Sequence, residues 1–451
     1  VNSKSAGAGT EWDLHFRRGI WIAFTVAMVV AGVVYCGKAA DDRSAFVRWR
    51  PQILAFWAGK NIWDEEMFPN PPILPLTMLP LVLMPKLAGA MTWFGLKAVM
   101  AATSIILCLK MARPEGFRGF PAWAQGLVVL LSFRPILSDL HHGNNNLLIL
   151  FLVVASLALW RGGRDVASGL VLALGIAFKI TPALFLFYFC FKRSWRTVGA
   201  TLLGLGLFLV VIPSLILGPQ FNGECLGMWW HRMLRPYVMS GHTGDMEINQ
   251  SLIGVMSRLL TESRTGGGRY DNLFDLNLLA LDPRIVSWGL KAVSVLIVLS
   301  LAWICRTRTA RRDDTRLLGE WALVVLTMLF VSERSWKHHY VTLVLPYAYL
   351  VYRMGFSTLR KEQRRVLAGA LALSALLMAS TSSEIGGLFL DGQGHKLAQG
   401  YGMFLWAGVV LYVATAWLVL RETRQPAEPA EPAPSLEGRL SAPHFSQTRW
   451  A

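Results

Sequence analysis

The sequence predicts an all-α polytopic membrane protein, a bundle of roughly 10 to 13 transmembrane or half-membrane helices. Three observations carry that prediction. Of 451 residues 54% are apolar and only 16% charged, with a mean hydropathy of +0.42, far oilier than a soluble chain of this length. Apolar runs close to a membrane span in length recur from one end of the chain to the other. The cations sit in short patches between those runs, as the cytoplasmic bias of Lys and Arg predicts. Their placement accounts for the net charge of +16 without any nucleic acid partner.

Taken in order, the first run, residues 20–36, follows Arg17 and Arg18 and has no small-residue cleavage site behind it, so it reads as an uncleaved helix after a cytoplasmic segment, 1–19. Further spans are expected over 91–112, 121–137, 145–160, 197–217, 286–305, 317–331, 339–351, 366–380 and 402–420. Basic patches begin at Arg17, Lys110, Arg161, Lys192, Arg306, Arg353 and Arg421, and all are expected to be cytoplasmic. The patch at Lys110 includes Arg113 and Arg118, and the last one includes Arg424.

The stretch between Arg164 and Lys192 is too long for one simple span and is flanked by cations on both sides. It must go in and come back. Its one interruption is Lys179-Ile180-Thr181-Pro182, where proline removes a backbone donor. Two half-length helices, 166–178 and 183–191, are therefore expected with Lys179 at the tip; the other reading is one helix kinked at Pro182 with Lys179 snorkelling. The external loops are then 37–90, 138–144, 218–284, 332–338 and 382–401, and 20–420 forms the transmembrane domain. Residues 421–451, rich in Pro, Ala and Glu, read as a disordered cytoplasmic tail. The five cysteines are scattered, so packing is expected of them, with no disulfide framework and no metal site.

Most of the unusual polar residues lie in the external loops. The first holds Asp41 and Asp42, then Gly59-Lys60-Asn61-Ile62-Trp63-Asp64, then Pro69-Asn70-Pro71-Pro72. The last motif opens an apolar run broken by Pro75, Pro80 and Pro85, which is expected to enter the membrane only partway. A carboxylate roofed by such a segment is suited to taking a proton from a sugar hydroxyl, although it equally serves to solvate a helix end. The second cluster, His141-His142-Gly143-Asn144-Asn145-Asn146, follows Arg134 and Asp139 and opens a helix. Free N–H groups there suit a phosphate, and an asparagine there also suits an N-cap. Lys179 is a cation at buried depth that needs an anion.

Another cluster is Glu333-Arg334-Ser335-Trp336-Lys337-His338-His339-Tyr340, whose cations and imidazoles can hold a phosphate. The large loop adds Trp229-Trp230-His231-Arg232, which reads as interfacial anchoring, and the amides Asn249 and Gln250, which suit sugar hydroxyls or helix caps.

Taken together these motifs resemble glycosyltransferase family 87, whose members use polyprenyl-phosphate-mannose-type donors. The resemblance rests on the early external Asp followed by the Gly59 to Asp64 turn, on Pro71-Pro72, on Gly143 to Asn146, on Lys179 and Pro182, and on Trp336 to His339, in the family's order. It covers residues 20–420 and implies a GT-C-like bundle that transfers a hexose, as in mannosyl transfer, from a polyprenyl-phosphate sugar to a glycan or glycolipid acceptor.

By that likeness transfer inverts the sugar carbon at an external site of the inner cell membrane, with both termini cytoplasmic. Asp41 or Asp42 would be the general base, with Asp64 the alternative; Lys179, His338, His339 and Arg334 would hold the donor phosphate. Asn144, Asn146, Asn249, Gln250 and Asp64 would meet acceptor or sugar. No nucleotide sugar, cofactor or metal is implied. The rival readings are a flippase or transporter of lipid-linked saccharides, and an O-antigen-ligase-like enzyme. Against a carrier stand the lack of an evident inverted repeat and the confinement of the unusual polar residues to one face.

Overall fold

A computed structural model describes residues 4–65, 68–112, 120–236, 248–262, 276–309, 311–357 and 359–422. The tail from 423 onward, Arg113, Arg118 and Arg424 of the basic patches, and residues 237–247 and 263–275 of the large loop lie outside the described residues. Among the described residues every regular element is a helix.

Helix α1 (Lys4–Ala40) is followed by α2 (Ala45–Trp57), α3 (Ile62–Glu65) and α4 (Ile73–Leu83), which give much of the first loop, 37–90, helical structure. Next come α5 (Lys86–Met111), α6 (Ala122–His142), α7 (Asn146–Arg161), α8 (Asp165–Phe178) and α9 (Ala183–Phe191). A π-helical turn, Gly206–Val211, joins α10 (Trp195–Leu205) to α11 (Ile212–Leu217), and α12 (Pro219–Trp229) and α13 (Leu252–Leu260) lie within the large loop. The chain closes with α14 (Pro283–Ile304), α15 (Arg316–Val331), α16 (Val344–Phe356), α17 (Lys361–Ala379), α18 (Gly394–Gly400) and α19 (Met403–Glu422).

Five of these are long and apolar enough to cross a membrane: Asp13–Ala40, Lys86–Met111, Trp195–Leu217, Pro283–Ile304 and Met403–Glu422. Shorter helices fill the middle. With 11, 14 and 9 residues, α4, α8 and α9 are each about 14 to 21 Å long, less than the ~30 Å hydrocarbon core. The sequence's hairpin is present: Lys179 leaves the helix in an extended conformation (φ −159°, ψ 125°) and α9 starts only after Pro182. One expectation is corrected. The run from His339 does not open as an α-helix, because the His339 N–H bonds the Trp336 carbonyl and the Trp336 N–H bonds His339 Nδ1, closing a tight turn. Residues Lys337–Leu343 form a 3-10 helix and α16 starts at Val344.

At the centre stands α15, buried at every residue from Leu317 to Phe330, as a largely apolar helix enclosed by others must be. On the periphery α1 and α14 turn Val26, Val29, Val33, Leu296 and Leu299 outward, toward what lipid would cover. Helices α8 and α10 touch at backbone distance through Gly169 and Ala173 on one and Ala200 and Gly204 on the other. A Cβ on Gly169 would lie 2.5 Å from the Thr197 carbonyl oxygen, and one on Gly204 would lie 2.6 Å from the Ala173 Cβ. Small residues four apart let two helices approach this closely.

The two ends of the bundle differ. One is knotted by the basic patches: Glu320 pairs with Lys192 (2.7 Å) and Arg316 (3.1 Å), Asp165 with Arg312 (2.6 Å), and Glu422 with Arg353 (2.6 Å). The other is organised by a wholly buried pair. Lys97 Nζ on α5 donates to Asp139 Oδ2 (2.9 Å) and to the carbonyls of Asp139 (2.7 Å) and Asn144 (2.8 Å), so all three of its protons are used. The turn that follows depends on Gly143, whose φ of +70° ends α6; a Cβ there would sit 2.8 Å from the Tyr35 hydroxyl.

Three changes in stability are expected from this packing. Gly169→Val should lower unfolding free energy in detergent by about 1 to 3 kcal/mol, since the helices must part to admit the side chain. Lys97→Met should cost more, about 3 to 5 kcal/mol, because it strands a buried carboxylate. Asp42→Asn, at an exposed pair with Lys86, should change stability by under about 1 kcal/mol. Denaturant titration of the three variants checks all of these.

Candidate active site

The end of the bundle opposite the basic knots gathers most of the polar motifs. Asp139 uses its second oxygen to accept from Asn146 Nδ2 (3.0 Å), and Asn146 Oδ1 accepts from Lys179 Nζ (2.6 Å). A continuous chain thus runs Lys97, Asp139, Asn146, Lys179 across four helical segments. It contains two ammonium groups and one carboxylate, so it carries one uncompensated positive charge. The break that frees Lys179 from helical geometry is itself braced: Asn70 Nδ2 donates to the Phe178 carbonyl (2.8 Å), and Trp63 Nε1 donates to the Asn70 carbonyl (3.0 Å). In this way the Trp63 and Pro69-Asn70-Pro71-Pro72 motifs dock on the lysine break.

Beside this chain lies a narrow cleft with an open volume of about 20 Å³. Asn146, Lys179, Thr181, Ser335, His339 and Thr342 supply its polar wall, and Val325, Met328 and Leu329 of α15 its apolar floor. Because His339 Nδ1 accepts from the Trp336 N–H (3.2 Å), the neutral ring carries its proton on Nε2 and is a hydrogen-bond donor. His338 is buried, and burial, with His339, His142, Lys179 and Lys97 around it, holds its imidazole well below the ordinary value. It is therefore neutral and serves as a hydrogen-bonding group. Its Nε2 accepts from Asn144 Nδ2 (3.0 Å), and its ring lies 4.7 Å from that of His142.

The two aspartates sit at the same end, beyond the cleft. Lys86 Nζ donates to the Ala40 carbonyl and to Asp42 Oδ1 (3.0 Å), while Lys38 Nζ meets His141 Nδ1 at 3.4 Å. From His141 the imidazoles of His142, His338 and His339 follow one another at centroid spacings of 6.3, 4.7 and 4.9 Å toward the cleft. Neither Asp41 nor Asp42 lines the cleft itself. Among the described residues the Asp41 carboxylate has no partner, whereas Asp42 is ion-paired and held at φ +56°.

Several candidates take other places than the sequence suggested. Asn249 Oδ1 accepts from the N–H groups of Ser251 (3.0 Å) and Ser335 (3.1 Å), and its Nδ2 donates to the Glu333 carbonyl (2.9 Å). Gln250 donates to the Gln399 carbonyl (2.8 Å), and its backbone N–H meets the Ser335 carbonyl. Both are buried, and their bonds help to hold the 333–335 loop in place. The Arg334 side chain is half exposed, 3.8 Å from Glu333, and lies off the cleft. Asp64 is exposed and pairs with Arg232 (3.2 Å). Lys97 lies hidden inside an apolar run of the sequence, where a charge within a span is its one signal.

The sequence profile of glycosyltransferase family 87 matches residues 68–333, a range that includes Asn70, Asp139, Asn146 and Lys179 but neither the early aspartates nor His339. A polyprenol-phosphate-mannose-dependent alpha-(1-2)-phosphatidylinositol mannoside mannosyltransferase of Mycolicibacterium smegmatis is 28% identical over 364 residues, 72% of this chain and 75% of that protein. The protein of the same description from Mycobacterium tuberculosis is 27% identical over 323 residues, 69% of this chain and 66% of that one. No solved structure matches. With well over half of its length under the family profile, and with that family's membrane-embedded helical character, this chain belongs to glycosyltransferase family 87.

Proposed function

We propose that the chain transfers mannose from a polyprenyl-phosphate donor to a lipid-linked, anionic glycolipid acceptor, at the non-cytoplasmic face of the inner cell membrane and with inversion at the sugar carbon. The single observation that carries the reading is the uncompensated cation of the Lys97-Asp139-Asn146-Lys179 chain, placed on the cleft next to His339. A lysine at this depth needs an anion, and a lipid monophosphate supplies one that arrives from the bilayer. The donor named for both mycobacterial relatives is of this class, and their named acceptor is itself a phospholipid glycoside.

In this reading the C–O bond between mannose and phosphate breaks while the acceptor oxygen forms its bond to the same carbon from the opposite side. Charge develops on the leaving phosphate, where the Lys179 ammonium and the His339 Nε2–H stabilise it. The acceptor hydroxyl loses its proton to Asp41, chosen over Asp42 because its carboxylate is not engaged by Lys86. His338, neutral and hydrogen-bonded to Asn144, sets the position of its neighbour. The outward orientation rests on the basic patches, which mark the opposite end as cytoplasmic.

Two measurements test this. Purified protein given a synthetic polyprenyl-phosphate mannose should transfer mannose to phosphatidylinositol mannoside; Asp41→Asn should lower kcat by about 10²- to 10⁴-fold and Lys179→Met by about 10²-fold. A fully active Asp41→Asn beside an inactive Asp42→Asn would reverse the assignment of the base, and liposome transport of the lipid without transfer would favour a carrier. For orientation, an impermeant maleimide should label Ser383→Cys in intact cells and Arg196→Cys only after permeabilisation. The opposite pattern would overturn the external site.

A further inference from the structure

A second group of cations lies at the same end of the bundle and takes no part in the cleft. Lys337 Nζ donates to the Thr381 carbonyl at the end of α17 (3.0 Å), and Arg134 Nη2 of α6 approaches that same carbonyl at 3.4 Å. Arg134 Nε is buried and has no partner among the described residues. The acid nearest to both is Glu384, which is exposed and bonded to Ser383 Oγ (2.9 Å). One guanidinium and one ammonium converging on one carbonyl, with a single exposed carboxylate near them, leave positive charge that the fold offsets only in part. Burial, and to a lesser degree Arg134, pushes the Lys337 ammonium down to about 7, with Glu384 opposing. An incoming anion would restore its charge.

What lies beside this cluster identifies the kind of anion. The chain that leaves Thr381 carries Ile385, Leu388, Phe389 and Leu390, which are 48%, 78%, 64% and 56% exposed. It then turns sharply through Leu390, Asp391 and Gly392, all at positive φ. Apolar side chains held outward by a turn beside a pair of half-buried cations suit a lipid, with its headgroup on the cations and its chains against the apolar lip. The adjoining α17 also faces outward at Leu373 and Leu376. Free phosphate would use the cations alone.

We propose that Arg134 and Lys337 form a second anion site, separate from the Lys179 cleft, that holds the phosphodiester of the glycolipid acceptor. The assignment of that lipid as the acceptor rests on the function proposed above; the lipid site itself does not. His142 and His338 lie between the two sites: His338 neighbours both Lys337 and His339, and the His142 ring lies tilted against it. An acceptor anchored at Arg134 and Lys337 would thus present its sugar toward the donor from the side opposite Lys179. Arg134 and Lys337 are positioning residues here, since the phosphodiester does not react.

The test compares two acceptors with one donor. With phosphatidylinositol mannoside, Arg134→Gln/Lys337→Gln should raise acceptor KM by about tenfold or more. With an uncharged alkyl mannoside, kcat/KM should stay at the parent value, as should donor KM in both cases. Arg134→Lys/Lys337→Arg should keep most of the affinity, which guards against simple misfolding. Equal losses with both acceptors, or no loss with either, would overturn the proposal.

If the parent transfers to neither acceptor, the proposed function fails and binding decides the site alone. Phosphatidylinositol in mixed micelles should then raise the thermal midpoint of the parent and not of the Gln/Gln variant, while phosphatidylcholine and inorganic phosphate leave both unchanged. The same rise in both proteins, or a rise with inorganic phosphate, would overturn the lipid site.

Discussion

A charged amine inside an apolar bundle is tolerated only when an anion or a set of oxygens meets it, and this constraint shapes the working end of the molecule. Lys97 is met completely, by one carboxylate oxygen and two carbonyls. That carboxylate, Asp139, then fixes Asn146, and Asn146 fixes Lys179. The first lysine is a structural group whose demand is satisfied; the last is left with a neutral amide oxygen. A phosphate would complete at Lys179 what Asp139 completes at Lys97.

The surrounding helices serve this arrangement. A spanning helix would carry Lys179 past the cleft, whereas the break between α8 and α9 stops it there, with the extended residue braced by Asn70. Close contact of α8 with α10 through Gly169 and Gly204 holds the hairpin without large side chains between them. From the other side, Asn249 and Ser251 tie the 333–335 loop, so that Ser335 and His339 face the cleft from a fixed turn. The opposite end needs no such opening and is closed by ion pairs that join loops to helix termini.

Much of this was legible in the sequence wherever the signal was local. Length and polarity of the apolar runs mark the spans, and Lys179 and Pro182 mark the break, because both act through the backbone of their own segment. The loop helices α2 to α4 were not legible as helices: Pro51 and two arginines interrupt the apolar pattern of α2, and its stability comes from burial of Phe46, Ile53 and Phe56 against distant partners. Long-range pairing hid the rest. Nothing near Asn249 and Gln250 in the chain shows that the amide of the first meets Glu333 and Ser335, over eighty residues on, or that of the second Gln399 and Phe404, and nothing near Lys97 reveals Asp139.

The account stands on the donor phosphate meeting Lys179 and His339. Its most direct test is an experimental structure of the protein in lipid nanodiscs with a short-chain polyprenyl phosphate bound. Phosphate oxygens within hydrogen-bond distance of Lys179 Nζ and His339 Nε2, with the lipid leaving toward the bilayer, are the predicted result. A phosphate seated elsewhere, with the cleft beside Lys179 vacant, would contradict it.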